Sequence, residues 1–213
     1  MKTNPTTHPP EEPGQAGGIR AIAREWLPVL LFLTLVLVAR STLADHYHVP
    51  SGSMEGALMP GDHVVVDKSA YGLRIPFSKT VLVDGDRPIP GDVVIFDSPE
   101  DGVRLIKRVV AVAGEEVSVV AGRVLTDGVP RVSRQAPTVE RYGDRYVRLE
   151  LEHGGGPNLP PVRVPEGHVL VLGDHRGNSR DGRMFGFIPE TELYGRAKGV
   201  FWRSSEGPTW HGL

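Results

Sequence analysis

No cysteine occurs among the 213 residues. That excludes a disulfide scaffold, a thiol nucleophile and any zinc or iron–sulfur site built on thiolates. A surplus of either charge is also missing. The formal net charge of −2 lacks the basic excess of a broad nucleic-acid surface, so no nucleic-acid partner is expected. Lysine is scarce: Lys2, Lys68, Lys79, Lys107 and Lys198 stand against 19 arginines. There is no internal repeat and no alternation of strand and helix patterns, which argues against a doubly wound parallel sheet. Only one long apolar run exists, so a polytopic membrane protein is excluded. What is abundant is glycine (26) and proline (19), which suits a loop-rich β fold.

Residues 1–18 are rich in Pro, Thr, Gly and Gln and can build no core, so a disordered cytoplasmic tail is expected. The apolar run follows. From Trp26 to Ala39 there are 14 positions without charge, about 21 Å of helix. With Arg40 snorkelling and Ser41–Ala44 at the interface, the span grows to about 28 Å. A transmembrane helix over 19–44 is therefore expected, in contact with a lipid bilayer. Lys2, Arg20 and Arg24 lie before it and only Arg40 close after it, which sets the N-terminus in the cytoplasm. The same stretch also fits a cleavable export signal ending at Thr42-Leu43-Ala44. Either way, residues 45–213 are exported.

The exported part reads as a mostly β, antiparallel barrel or sandwich. Strands are expected at Val64–Asp67, Val81–Val83, Val93–Phe96, Val103–Ala113, Val117–Val120, Val124–Thr126, Tyr146–Leu151, Val169–Leu172 and Gly199–Trp202. Between them lie turns such as Pro60-Gly61-Asp62 and Pro90-Gly91-Asp92. Residues 131–166, dense in Arg, Pro and Gly, read as a peripheral excursion.

Three segments carry candidate chemistry. Pro50-Ser51-Gly52-Ser53-Met54 opens the β region and runs into Leu58 and Met59. It is not a Gly-x-Ser-x-Gly elbow. In Arg104-Leu105-Ile106-Lys107-Arg108-Val109, strand alternation sets Lys107 on one face with Leu105 and Val109. A lysine on an apolar face loses hydration, and its pKa falls toward the range where a neutral amine accepts a proton. The third segment, Gly173-Asp174-His175-Arg176-Gly177-Asn178-Ser179-Arg180-Asp181-Gly182-Arg183, follows a strand with paired opposite charges and reads as a loop held by ion pairs. His46-x-His48 lacks a third ligand at useful spacing, so no metal and no cofactor are expected among the eight histidines.

Together and in this order, the three segments resemble the boxes of bacterial type I signal peptidases, membrane-anchored serine peptidases that cut signal peptides from exported preproteins. Pro50–Met54 with Leu58 and Gly61-Asp62 forms the first box, Lys107-Arg108 the second, and Gly173-Asp174 through Ser179, Asp181 and Arg183 the third. The resemblance implies Ser53 as nucleophile and Lys107 as general base. It implies Ser51 as a side-chain donor to the oxyanion hole, Ser179 as orienter of the Lys107 ammonium, Asp181 and Arg183 as braces, and an Asp174–Arg108 pair. It further implies a pocket for a small residue at substrate position −1 around Val49, Pro50, Met54, Leu58 and Leu105. A pocket for position −3 would involve Tyr47, Val49, Val64, Ile95 and Ile106. The implied partners are signal peptides, with the enzyme acting as a monomer.

The sequence departs from the family pattern in three places. Gly56-Ala57-Leu58 stands where Pro-Thr-Leu is common, Leu105 where Tyr is frequent, and His175 and Gly177 interrupt Asp-Asn-Arg-Asp-Asn-Ser. Two other functions compete with this reading. A self-cleaving repressor protease would need DNA-binding helices, which are missing, and would not carry a membrane helix. A catalytically silent exported module that binds peptides by strand addition has no need of both Ser53 and Lys107.

Overall fold

The computed structural model describes residues 24–34, 36, 44–74, 81–132 and 135–213. The chain divides into two units, Met1–Ala39 and Arg40–Leu213. In the first, residues 24–34 and 36 are helical. No helix among the described residues is long and apolar enough to cross a membrane. The tail expected at 1–18 and the rest of the span expected at 19–44, up to Leu43, lie outside the described residues.

The second unit is mostly β. Its strands in chain order are β1 (Ala44–His48), β2 (His63–Asp67), β3 (Leu73–Arg74), β4 (Val81–Val83), β5 (Val93–Asp97), β6 (Arg104–Val112), β7 (Glu116–Val120), β8 (Arg123–Thr126), β9 (Val129–Pro130), β10 (Val139–Tyr142), β11 (Arg145–Arg148), β12 (Leu159–Arg163), β13 (His168–Leu172), β14 (Ile188–Pro189), β15 (Leu193–Arg203) and β16 (Gly207–Gly212). Eight of them form one antiparallel sheet in the order β1-β2-β15-β5-β6-β13-β14, with β16 also paired to β15. A four-stranded sheet, β12-β7-β8-β9, and the hairpins β10-β11 and β3-β4 complete the unit.

Strands β5 and β13 are covered on both faces, which is why they read as nearly unbroken apolar runs. In β5, Val93 and Ile95 join a cluster with Val49, Met54, Leu58, Val64 and Ile106. Val94 and Phe96, on the opposite face, join Val109, Val169 and Val171. In β13 the alternation separates Leu170 and Leu172 from Val169 and Val171.

Residues 131–166 carry β10, β11 and β12 and contribute to the interior. Tyr142, Val147, Leu149 and Val164 pack with Val110, Val117, Val119 and Leu172. Glu140, fully buried, accepts hydrogen bonds from the Val124 N–H at 2.7 Å and the Tyr142 hydroxyl at 2.6 Å. It also pairs with the fully buried Arg176 at 2.6 Å. Two charges taken out of water remain bearable because each fills the other's hydrogen-bonding sites. Removing one partner leaves the other buried and unpaired. Glu140→Ala should therefore cost about 3–5 kcal/mol of stability. Glu100→Ala, which breaks the exposed Arg180–Glu100 pair, should cost less than about 1 kcal/mol. Thermal or denaturant unfolding of the two variants checks the contrast.

Candidate active site

Ser53 sits in a single 3-10 turn, Gly52–Met54, between β1 and β2. The turn is pinned from below. Met54 and Leu58 are fully buried, and the Ala57 and Leu58 N–H groups both donate to the Met54 carbonyl. The return of the chain is fixed by Asp62. Its carboxylate accepts the Met59 N–H at 3.0 Å and pairs with Arg203 at 3.0 Å. These bonds explain why Gly61-Asp62 stands a few residues past the serine.

Lys107 comes from the middle of β6, opposite Val94 of β5, on the same face as Leu105 and Val109. Its Nζ lies 2.7 Å from Ser53 Oγ and 3.0 Å from the Ile106 carbonyl oxygen. Only 2% of Lys107 and 8% of Ser53 is exposed. Burial brings the Lys107 pKa down from 10.5 to about 8, against the attraction of the Asp181 and Asp174 carboxylates, which acts in the opposite direction. A neutral amine this close can take the proton of the serine hydroxyl.

The third segment surrounds the pair. Asp174 binds Arg108 through two hydrogen bonds of 2.9 and 2.7 Å, and Arg108 also donates to the Gly91 carbonyl at 2.8 Å. Asp181 accepts from the Gly173 N–H at 3.0 Å and from Arg183 Nε at 2.8 Å. Arg183 continues to the Gly155 and Arg176 carbonyls, at 2.6 and 2.8 Å. Arg176, besides Glu140, donates to the Gly173 carbonyl at 2.9 Å and to that of Gly122. Each carboxylate near Lys107 is thus matched by a guanidinium, so neither draws a proton onto the amine at full strength.

The other sequence-derived residues are placed as follows. Ser51 is exposed, and its hydroxyl donates to Ser53 Oγ at a long 3.4 Å. The Ser179 hydroxyl is buried and has no hydrogen-bond partner, so the contact expected with the Lys107 ammonium is not formed here. Val49, Met54, Leu58, Val64, Ile95 and Ile106 lie together in one cluster with Tyr47 against it. Leu105 packs on the opposite face with Phe96 and Val109, and Pro50 is exposed. Sequence reasoning missed three groups that touch these loops: Glu140, Glu55 and His153. Glu55 Oε2 lies 2.9 Å from His175 Nδ1, and His153 Nδ1 lies 3.0 Å from His175 Nε2. Nothing in their local sequence marks them, because their partners are distant along the chain.

Burying a lysine is costly. A pKa fall from 10.5 to about 8 corresponds to about 3 kcal/mol of stability lost while the amine is protonated. The native state binds this proton less tightly than the unfolded chain does. The cost is therefore complete below pH 8 and fades as pH rises toward 10.5. Lys107→Met should be more stable than the parent protein near pH 7, and the gap should shrink above pH 8. Unfolding curves at several pH values read this directly.

Comparison with known proteins identifies the family of this chain. The family model described as signal peptidase, peptidase S26, matches residues 23–202. A probable signal peptidase I-1 from Synechocystis is 33% identical over 191 residues, covering 85% of this chain and 84% of that one. Signal peptidase I of Haemophilus influenzae is 30% identical over 250 residues, with 86% and 70% covered. That of Pseudomonas aeruginosa is 30% identical over 213 residues, with 87% and 72% covered. With a family match across most of its length and relatives of this similarity, the chain belongs to the signal peptidase family, peptidase S26.

Proposed function

We propose that this protein is a membrane-anchored serine endopeptidase that removes signal peptides from exported preproteins. The observation that carries the proposal is the buried Lys107 Nζ at 2.7 Å from Ser53 Oγ, in a chain of the signal peptidase family. In the first step the neutral Lys107 amine takes the Ser53 hydroxyl proton as Oγ attacks the carbonyl carbon of substrate residue −1. The tetrahedral oxyanion is met by the Ser53 backbone N–H and the Ser51 hydroxyl. Donors aimed at developing charge of this kind are typically worth about 3–4 kcal/mol each. The ammonium of Lys107 then gives its proton to the leaving amine, the C–N bond breaks, and the mature protein departs. Water, deprotonated by the same amine, attacks the acyl ester. The C–O bond to Ser53 breaks, the proton returns to Oγ, and the signal peptide is released.

Small residues at −1 and −3 would lie against Val49, Met54, Leu58, Val64, Ile95 and Ile106, which form one buried cluster in the structure, and a larger side chain would overlap them. Ser179 would bond the Lys107 ammonium once its hydroxyl turns toward Nζ. Residues 19–44 are proposed to span the inner or plasma membrane with the N-terminus cytoplasmic, holding the catalytic unit on the outer face as a single-pass monomer. Signal peptides are apolar helices cut just outside the bilayer, so a short tether from anchor to Ser53 delivers the site to its substrate.

Incubation with a preprotein bearing an Ala-x-Ala site tests the activity. Lys107→Arg should abolish cleavage with the fold intact, because a guanidinium keeps its proton at neutral pH. Lys68→Arg should be nearly silent. Ser51→Ala should lower turnover by about 10²–10³, the loss of one oxyanion donor. The full chain should remain with membranes after carbonate washing, while recovery of a chain trimmed near Ala44 would contradict the anchor.

A further inference from the structure

Behind the nucleophile lies a chain of titratable groups for which the proposed chemistry has no use. Glu55, two residues past Ser53, sends its carboxylate to His175, with Oε2 2.9 Å from Nδ1. The other ring nitrogen of His175 lies 3.0 Å from His153 Nδ1. With Glu55 ionised, Nδ1–H of His175 donates to it, Nε2 accepts, and His153 donates from its own Nδ1–H. The His175 ring is only 3% exposed, so these bonds form in a setting where unpaired polar atoms are costly. The backbone of the same residue holds the serine itself: the His175 N–H donates to the Ser53 carbonyl at 3.2 Å.

Two glycines fit this arrangement. Gly56 has φ +104, and a Cβ there would come within 2.7 Å of the Arg148 carbonyl oxygen. A proline, fixed near φ of about −65°, cannot occupy that position in this backbone. The turn after Ser53 therefore has no ring to stiffen it, and a glycine follows Glu55 directly. At Gly177 a side chain would run into the His153 and Gly154 carbonyls. Its absence lets the His153 segment close on His175, whose ring centroids are 5.0 Å apart. Gly56, His175 and Gly177, three departures from the family pattern, thus belong to one local arrangement.

We infer that His175 is a positioning residue: through its ring to Glu55 and its N–H to the Ser53 carbonyl, it fixes the turn that aims Ser53 Oγ at Lys107. The Glu55 carboxylate sets the tautomer of the ring, and His153 partners its other nitrogen. The inference rests on the proposed peptidase activity. A displaced nucleophile of the order of 1 Å costs about 10²-fold in rate, whereas substrate contacts lie on other residues.

The test is steady-state cleavage of an Ala-x-Ala preprotein by the full-length protein across pH 6–11, with unfolding curves beside it. His175→Phe should keep KM within about threefold and lower kcat about 10- to 100-fold. The ascending pH limb should move up from about 8, since a loosened turn admits water to Lys107 while Asp181 and Asp174 still face it. Glu55→Gln, whose amide oxygen still accepts from His175, should lose less than Glu55→Ala. The double variant Glu55→Ala/His175→Phe should be no slower than His175→Phe alone. The inference is overturned if kcat is unchanged. It is equally overturned if kcat falls with the pH limb unmoved and Glu55→Gln equal to Glu55→Ala, the pattern of a smaller folded fraction. Should His175→Phe not fold, the two Glu55 variants decide, because Glu55 is partly exposed and leaves no large cavity. Failure of the peptidase reading would show separately, as absence of cleavage by the unaltered protein.

Discussion

A lysine nitrogen within hydrogen-bond distance of a serine hydroxyl is useful only if the lysine can shed its proton, and in water it does not. The arrangement around Ser53 follows from this constraint. Lys107 is carried on the middle of β6, deep in the main sheet, with Val94 beside it and Leu105 and Val109 on its own face. The apolar walls depress its pKa to about 8. That depression is bought with stability, so the surrounding structure must be rigid enough to keep an unfavourably buried group in place.

The rigidity comes from buried ion pairs rather than from more apolar packing. Arg108–Asp174, Arg183–Asp181 and Arg176–Glu140 are almost wholly removed from solvent and interlocked through backbone carbonyls. Such pairs add little net stability compared with well-packed apolar residues. What they supply here is direction, because bidentate guanidinium bonds fix the loop between β13 and the one-turn α-helix Gly182–Phe185. They also neutralise Asp174 and Asp181. An unmatched carboxylate at either position would pull the Lys107 pKa back up and keep the base protonated.

Legibility in the sequence followed burial. Strands covered on both faces, β5, β13 and the second half of β6, are rich in Val, Ile and Leu, and all three stand within a residue or two of where the pattern puts them. The strands that escaped notice lie at edges or in isolated hairpins. β1 is Ala-Asp-His-Tyr-His at the border of the main sheet, β12 contains two adjacent prolines at the border of the small one, β16 is largely exposed, and β10 is a short hairpin strand, Val-Glu-Arg-Tyr, with little apolar pattern. β15 was legible only from Gly199 because Arg196 and Lys198 interrupt its apolar pattern. At the site, Ser53, Lys107 and the third segment were legible because three short motifs, in this order, resemble the boxes of a known family. Glu140 and Glu55 were not, since each meets its partner across a large gap in the chain. The direction of the Ser179 hydroxyl was not legible either, being a single rotamer.

The account turns on the protonation of one lysine, which can be read without any substrate. With lysines labelled at Cε with carbon-13, five signals are expected, and loss of one in Lys107→Arg assigns the signal of interest. Titration of the intact protein should show this signal moving with a midpoint near 8, well apart from the ordinary lysine value of 10.5. A Lys107 signal that titrates together with the exposed lysines would mean that the amine is not poised as a base, and would contradict the account.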